Sequence, residues 1–266
     1  MEDMVDVKRC YDDNVEKEWL RLENNIAEFE ISKHYLLKYI KSGDTVLDFG
    51  GGPGRYSLFL AERGCDVTLA DLSSGNVAFA EKMAAEKQVS LKTLCLDARM
   101  PGALSGATFD HILLMGPLYH LPQEEDRRRV VQNCVEMLKP GGILFASFIS
   151  SYASAWDYYS RYPERILLDE HRKFIDLLVQ DTSFSGLSFT DCHYIRPMDI
   201  EAFMSDFAFS KLHLLSCEGF LSMRKLEFIN LPSEVRAAWI DIAIQACERE
   251  DLLSMGEHLM YIGRKP

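Results

Sequence analysis

The sequence has no basic stripe. Its 29 lysines and arginines stand against 41 aspartates and glutamates, a formal net charge of −12. Such a surface repels phosphate backbones and anionic lipid heads, so nucleic acid is not an expected partner. The densest basic run, Arg127-Arg128-Arg129, follows Glu124-Glu125-Asp126 and reads as a solvated helix face. No Cys-x-x-Cys pair occurs among Cys10, Cys65, Cys95, Cys134, Cys192, Cys217 and Cys247, and their count is odd. Reduced thiols in a reducing compartment are expected, with no metal centre. No apolar run approaches the ~18 residues that cross a bilayer. The start, Met1-Glu2-Asp3-Met4, lacks the basic-then-apolar layout of an export signal, so a cytoplasmic location without membrane attachment is expected. Repeats, low-complexity tracts and Gly/Ser/Pro-rich linkers are also missing. One domain over residues 1–266 therefore accounts for the chain, and its 47% apolar and 26% charged content is that of a folded protein.

What is present is an alternation. Trp19, Leu22, Ile26 and Phe29 recur at helical spacing, which predicts helix over residues 14–40 inside an N-terminal cap at 1–40. Short apolar strands follow at 45–49, 66–70, 91–96, 111–115 and 143–148. Between them fall helical stretches, one at 77–86 with Ser73 or Ser74 as N-cap and one at 124–138. Strands alternating with helices imply a parallel sheet covered on both faces. The rhythm breaks over 150–195, read as an inserted lid with a helix at 163–179. It resumes with helices near 199–207 and 233–248 and strands near 211–217 and 258–263.

The first strand runs into Asp48-Phe49-Gly50-Gly51-Gly52-Pro53-Gly54. Glycines at a strand–helix turn let backbone approach a ligand closely. A dinucleotide loop needs G-x-G-x-x-G, and no register supplies it. Counting from Gly50 the third position is Arg55, from Gly51 the second is Pro53, and from Gly52 the third is Ser57. No phosphate-binding Gly-Lys-Ser/Thr follows either. Asp48 would repel a diphosphate and suits a cationic amino group. Asp71, at the end of the second strand, can accept both hydroxyls of a ribose, and Asp97, at the end of the third, can accept an exocyclic amine. The pattern suits a cationic, phosphate-free nucleoside better than a nicotinamide dinucleotide.

These motifs resemble the class I S-adenosylmethionine-dependent methyltransferases. The matching residues are Val46–Gly54, Asp71-Leu72-Ser73, Leu96-Asp97-Ala98, Phe109-Asp110 with Gly116–Leu121, and Leu138-Lys139-Pro140-Gly141-Gly142. The likeness covers residues 40–150 strongly and 195–266 weakly, through Glu257-His258-Leu259. It implies an α/β Rossmann-like sheet of seven strands, the last antiparallel, and S-adenosylmethionine as cofactor. It also implies a cofactor site of Tyr11, Asp48, Gly50, Gly51, Gly52, Gly54, Asp71, Leu72, Asp97, Ala98 and Met115. Many members carry Glu where this chain has the shorter Asp71.

Further candidates are open. His120 can be a general base or a packed neighbour of the cofactor, and Tyr119 stands beside it. Tyr11 can fold over the methionine end, whereas Trp19 fits the apolar stripe of its helix. Tyr152, Trp156, Tyr158, Tyr159, Tyr162 and Phe174 can line an acceptor pocket or form the lid's own core. A small-molecule acceptor is expected. The rivals are an RNA or protein methyltransferase and a cofactor-binding module without turnover.

Overall fold

The computed structural model describes residues 3–180, 183–187 and 190–266; positions 1–2, 181–182 and 188–189, which fall in the expected cap and lid, lie outside the described residues. The chain opens with three helices, α1 (Asp3–Asp12), α2 (Val15–Asn24) and α3 (Ile26–Tyr39). The predicted helix over 14–40 is thus two helices, broken at Asn25. That residue leaves helical geometry at φ −110°, ψ 54°.

The sheet then alternates with helices: β1 (Thr45–Phe49), α4 (Arg55–Ala61), β2 (Asp66–Asp71), α5 (Ser74–Lys87), β3 (Lys92–Cys95), β4 (Phe109–Leu114), α6 (Glu124–Met137) and β5 (Leu138–Ser150). After β5 come α7 (Ala153–Arg161), α8 (Asp169–Leu178), β6 (Phe184–Leu187), β7 (Asp191–Ile195), α9 (Asp199–Met204), β8 (Ser210–Ser216), α10 (Lys225–Phe228), α11 (Ser233–Ala246) and β9 (His258–Arg264). The predicted helix at 163–179 is a 3₁₀ turn at Pro163–Leu167 followed by α8.

Strands β3, β2, β1, β4 and β5 run parallel in that order. β9 lies antiparallel between β5 and β8. This is the expected seven-strand frame with an antiparallel last strand. The sheet has nine strands among the described residues, because β6 and β7 form an added hairpin. β4 reaches only Ala146 of β5, and β7 pairs with Ile149 and Ser150 beyond it. The hairpin therefore extends the sheet at the carboxyl ends of the strands. β5 begins earlier than predicted, at Leu138, with a register shift at the Lys139–Gly142 turn.

Alternate side chains of the strands fill two cores. Val46, Leu113, Phe145 and Met260 pack on one face, with Ile31 and Leu36 of α3 and Ile240 of α11. Leu47, Ile112, Leu144 and Leu259 pack on the other, with Val130 and Cys134 of α6. That period of two is what a parallel sheet covered on both faces requires. Chain order reverses between β1 and β4, and such a switch point opens a crevice at the carboxyl ends. No helix among the described residues is long and apolar enough to cross a membrane.

The Arg127–Arg129 run departs from its reading as a solvated face. Arg128 and Arg129 do pair outward, with Glu124, Asp206 and Asp126. Arg127 turns inward, is buried, and donates to the Leu121 and Pro122 carbonyls at 2.7 and 2.8 Å. It holds the loop that follows β4.

Candidate functional site

The crevice between β1 and β4 holds a cavity of about 130 Å³. Its floor is the glycine loop. Gly50 and Gly52 sit at φ +79° and +56°, where only glycine is at ease. A Cβ on Gly50 would clash with the Pro117 ring, and one on Gly51 would lie 2.7 Å from the Asp48 carboxylate. A Cβ on Gly52 would meet nothing closer than Asn76 Nδ2 at 3.9 Å, so its absence leaves room on the cavity side.

Asp71 organises this loop. One carboxylate oxygen accepts the Gly52 N–H at 2.8 Å, and the other accepts the Ser73 N–H at 2.9 Å and Asn76 Nδ2 at 3.2 Å. Burial raises its pKa against these three donors. Asp48 is buried behind Gly51 and accepts the Ser57 hydroxyl at 2.6 Å. Burial pushes it up to about 6, the Ser57 bond opposes this, and the Asp71 charge adds to it.

Tyr11, Asp48, Gly50, Gly51, Gly52, Asp71, Leu72, Asp97, Ala98 and Met115 all line the cavity, as do Tyr119 and His120. Gly54 does not. At φ +89° it caps α4, and its missing Cβ lets the loop pack on Ala80 and Leu69. Asp97 is already engaged: Arg99 donates to it from Nε and Nη2, at 2.9–3.2 Å, and also reaches Asp126. Asp97 thus offers only its remaining lone pairs.

Three buried polar atoms of residues on the cavity wall, Arg55 Nε, Tyr56 Oη and Asn76 Oδ1, have no hydrogen-bond partner among the described residues. Buried polar atoms are seldom left so. Together with the acids and the bare Gly52 backbone, they fit a polar nucleoside with an amino-acid tail. S-adenosylmethionine has that form.

His120 is buried, and burial pushes it down to about 4. Its Nδ1 meets Thr190 Oγ1 at 3.0 Å. Its Nε2 lies 2.6 Å from the Tyr11 hydroxyl. Burial also raises the Tyr11 pKa, so the phenol stays protonated and donates to the neutral imidazole. Tyr119 donates to the Met115 carbonyl at 3.0 Å. His120 therefore holds Tyr11, and its accepting nitrogen is occupied.

A second cavity, of about 490 Å³, shares Tyr11, Glu18, Arg21 and Tyr119 with the first. The lid aromatics singled out in the sequence do not line it. From α7 it takes Ala153, Asp157 and Arg161, one helical turn apart. Phe174 belongs to a small core with Tyr194 and Leu178, Tyr158 bonds His171, and Tyr159 faces solvent.

Sequence reading also missed an ion cluster behind this cavity. Arg21 grips Glu28 with two bonds of 2.7 and 3.1 Å. His258 Nδ1 lies 2.6 Å from Glu218 and 3.6 Å from Glu28. Lys225 pairs with Glu257 and Asp157. Burial works against a charge on His258, but Glu28 and Glu218 outweigh it and push its pKa up to about 9. Glu28, Glu218 and His258 have the donors to meet a metal ion, yet Arg21 and the His258 proton already neutralise the two carboxylates.

This strand order, with the cradle at the switch point, defines the class I S-adenosylmethionine-dependent methyltransferase fold. Residues 46–142 match the family described as methyltransferase domain. The ubiquinone biosynthesis O-methyltransferase of Coxiella burnetii is 31% identical over 147 residues, 53% of this chain and 61% of that protein. The chain thus spans less than two thirds of the length of the curated relatives it matches. The N-methyltransferase NodS of Bradyrhizobium japonicum, solved with S-adenosylhomocysteine, superposes with a TM-score of 0.60 at 15% identity, over 98% of this chain and 99% of its own. A [4+2]-cyclase, SpnF, superposes at 0.55 and 19% identity, over 85% of this chain and 77% of its own. These two likenesses are of fold, and a fold by itself does not fix a reaction.

Proposed function

We propose that the protein binds S-adenosylmethionine and transfers its methyl group to a small-molecule acceptor by SN2 displacement. One observation carries this reading: the glycine cradle, edged by Asp48, Asp71 and Asp97, shares a wall with a second, larger cavity. A donor and an acceptor can meet at that wall. The cofactor supplies a methyl group already activated by its sulfonium, so alignment supplies much of the acceleration. The chain's own residues bind and orient. Asp71 faces the ribose, Asp48 the amino group and Asp97 with Ala98 the adenine, while Tyr11 and Tyr119 wall off water. The methyltransferase-domain match and the O-methyltransferase names of the curated relatives support this assignment.

Isothermal titration with S-adenosylhomocysteine tests the binding half, and heat saturating at micromolar ligand is expected. Incubation with labelled cofactor and a metabolite extract tests the transfer half. No binding, or binding without any labelled product, would overturn the corresponding half.

A further inference from the structure

Building on the methyltransferase reading, we propose that the second cavity takes a partly apolar acceptor through a hydroxyl group, and that Glu18 receives the hydroxyl proton. The four side chains common to both cavities stand where the methyl must pass: Tyr11, Glu18, Arg21 and Tyr119. The Tyr11 hydroxyl is spent on His120, and the Tyr119 hydroxyl on the Met115 carbonyl. Arg21 only donates. Glu18 gives one oxygen to Arg21 Nε at 2.8 Å, and its other oxygen has no hydrogen bond among the described residues. Of the four, this carboxylate is the group able to take a proton.

The wall also selects the acceptor. Ile149, Ala153 and the rings of Tyr119 and Tyr194 give it apolar surface. Lys17, Arg21, Arg161, Lys225 and the protonated His258 line it, against Glu18, Asp157 and Glu257. Glu28 and Glu218, which balance Arg21 and His258, lie buried behind. With them the cluster is balanced, five cations to five anions, but five of the groups that line the cavity are N–H donors. Such donors can hold an oxygen that gathers negative charge as it attacks, whereas among the charged groups an ammonium acceptor could use only the three carboxylates. In the step, the acceptor oxygen's lone pair forms the bond to the methyl carbon. The carbon–sulfur pair returns to sulfur, and the proton passes to Glu18. A sulfonium and a carboxylate become a neutral thioether and a neutral acid, so charge balances.

The test uses p-nitrophenol, whose ionised form absorbs visible light, with protein saturated in S-adenosylhomocysteine. Saturable binding to the wild type is expected, with a loss of about tenfold or more in Ala153→Phe, which narrows the second cavity alone. In Glu18→Gln the bound phenol should ionise at lower pH, because Arg21 remains and the carboxylate is gone. S-adenosylhomocysteine affinity should stay within about twofold in both variants, which also reports that they fold. In the extract assay with carbon-labelled cofactor, the product's chemical shift should be that of an O-methyl group. Glu18→Gln should lower kcat and leave cofactor KM in place. Failure of p-nitrophenol to bind, an N-, S- or C-methyl product, unchanged kcat, or a lost cofactor affinity in Glu18→Gln would each overturn the proposal. Failure of wild-type protein to bind S-adenosylhomocysteine would instead overturn the cofactor reading beneath it.

Discussion

Asp71→Asn separates a residue that holds the cofactor from one that only holds the loop. The substitution keeps the shape and leaves one acceptor oxygen. If that oxygen serves Ser73 and Asn76, the new amide nitrogen faces the Gly52 N–H across 2.8 Å, donor against donor. A hydrogen bond to a charged acceptor contributes ~1.5–3 kcal/mol. The opposing effect is burial. The folded-state pKa of Asp71 lies above its ordinary value, so its charged form costs stability at neutral pH, and Asn removes that cost. The two oppose each other in the empty protein, so the melting temperature should fall less than loss of the hydrogen bond alone would cause. Binding is different. In the proposed pose a ribose contact is lost, and Asp71 no longer holds the Gly52 backbone that faces the ligand. The affinity for S-adenosylhomocysteine should fall by about 1.5–3 kcal/mol, or roughly 10- to 150-fold. Titration calorimetry and thermal melting on the same samples read both quantities. A lower melting temperature with affinity unchanged would refute the reasoning and leave Asp71 as a strut.

Three further outcomes are expected. Asp48→Asn should stabilise the protein at pH 7 by up to about 3 kcal/mol, since a carboxylate pushed to about 6 is penalised when charged. The gain should fade below pH 4 and be accompanied by weaker S-adenosylhomocysteine binding; a destabilised variant at pH 7 would contradict the burial argument. Gly50→Ala should cost ~1–3 kcal/mol from its left-handed backbone, beyond the contact with Pro117, and abolish binding in titration. Gly52→Ala, with open space at its Cβ, should melt closer to wild type. Because His258 keeps its proton to about 9 against an ordinary 6.5, the folded state holds more protons across that window. Its contribution is full below 6.5 and lost as pH rises through 9. Melting curves of wild type should therefore fall more steeply over that range than those of His258→Asn, and parallel curves would remove the ion cluster from the account.

The sheet was legible because its signal is local. Val46-Leu47 and Ile112-Leu113 are apolar on both faces of their strands, as a buried parallel sheet demands. Ser73 announced the start of α5, and its Oγ does accept the Asn76 N–H. The misreadings came where tertiary contacts override local pattern. Asn25 splits one amphipathic stripe into two helices. Arg127 sits in a run of charge and yet is drawn inside by two carbonyls of the preceding loop. The β6–β7 hairpin has too few residues per strand for a periodic signal, and its place was fixed by the free edge of β5 beyond β4.

The site divides along the same line. Asp48, Asp71 and Asp97 stand out in the sequence because each lies at or just beyond the carboxyl end of a strand, and parallel strands in one sheet bring those ends together without further information. Nothing comparable ties Tyr11 to His120, 109 residues apart, or Glu28 to His258. Those pairs depend on how α1–α3 dock across the sheet, which no local pattern encodes. This asymmetry has a physical source. A cradle for a constant ligand can be built from one short loop and the strand ends beside it. The walls of the second cavity are drawn from α1, α2, β5, α7, β7, α10 and β9, elements far apart in the chain. Sequence motifs therefore bring the glycine loop and its neighbouring acids together, whereas the residues of the second cavity meet only in the folded chain.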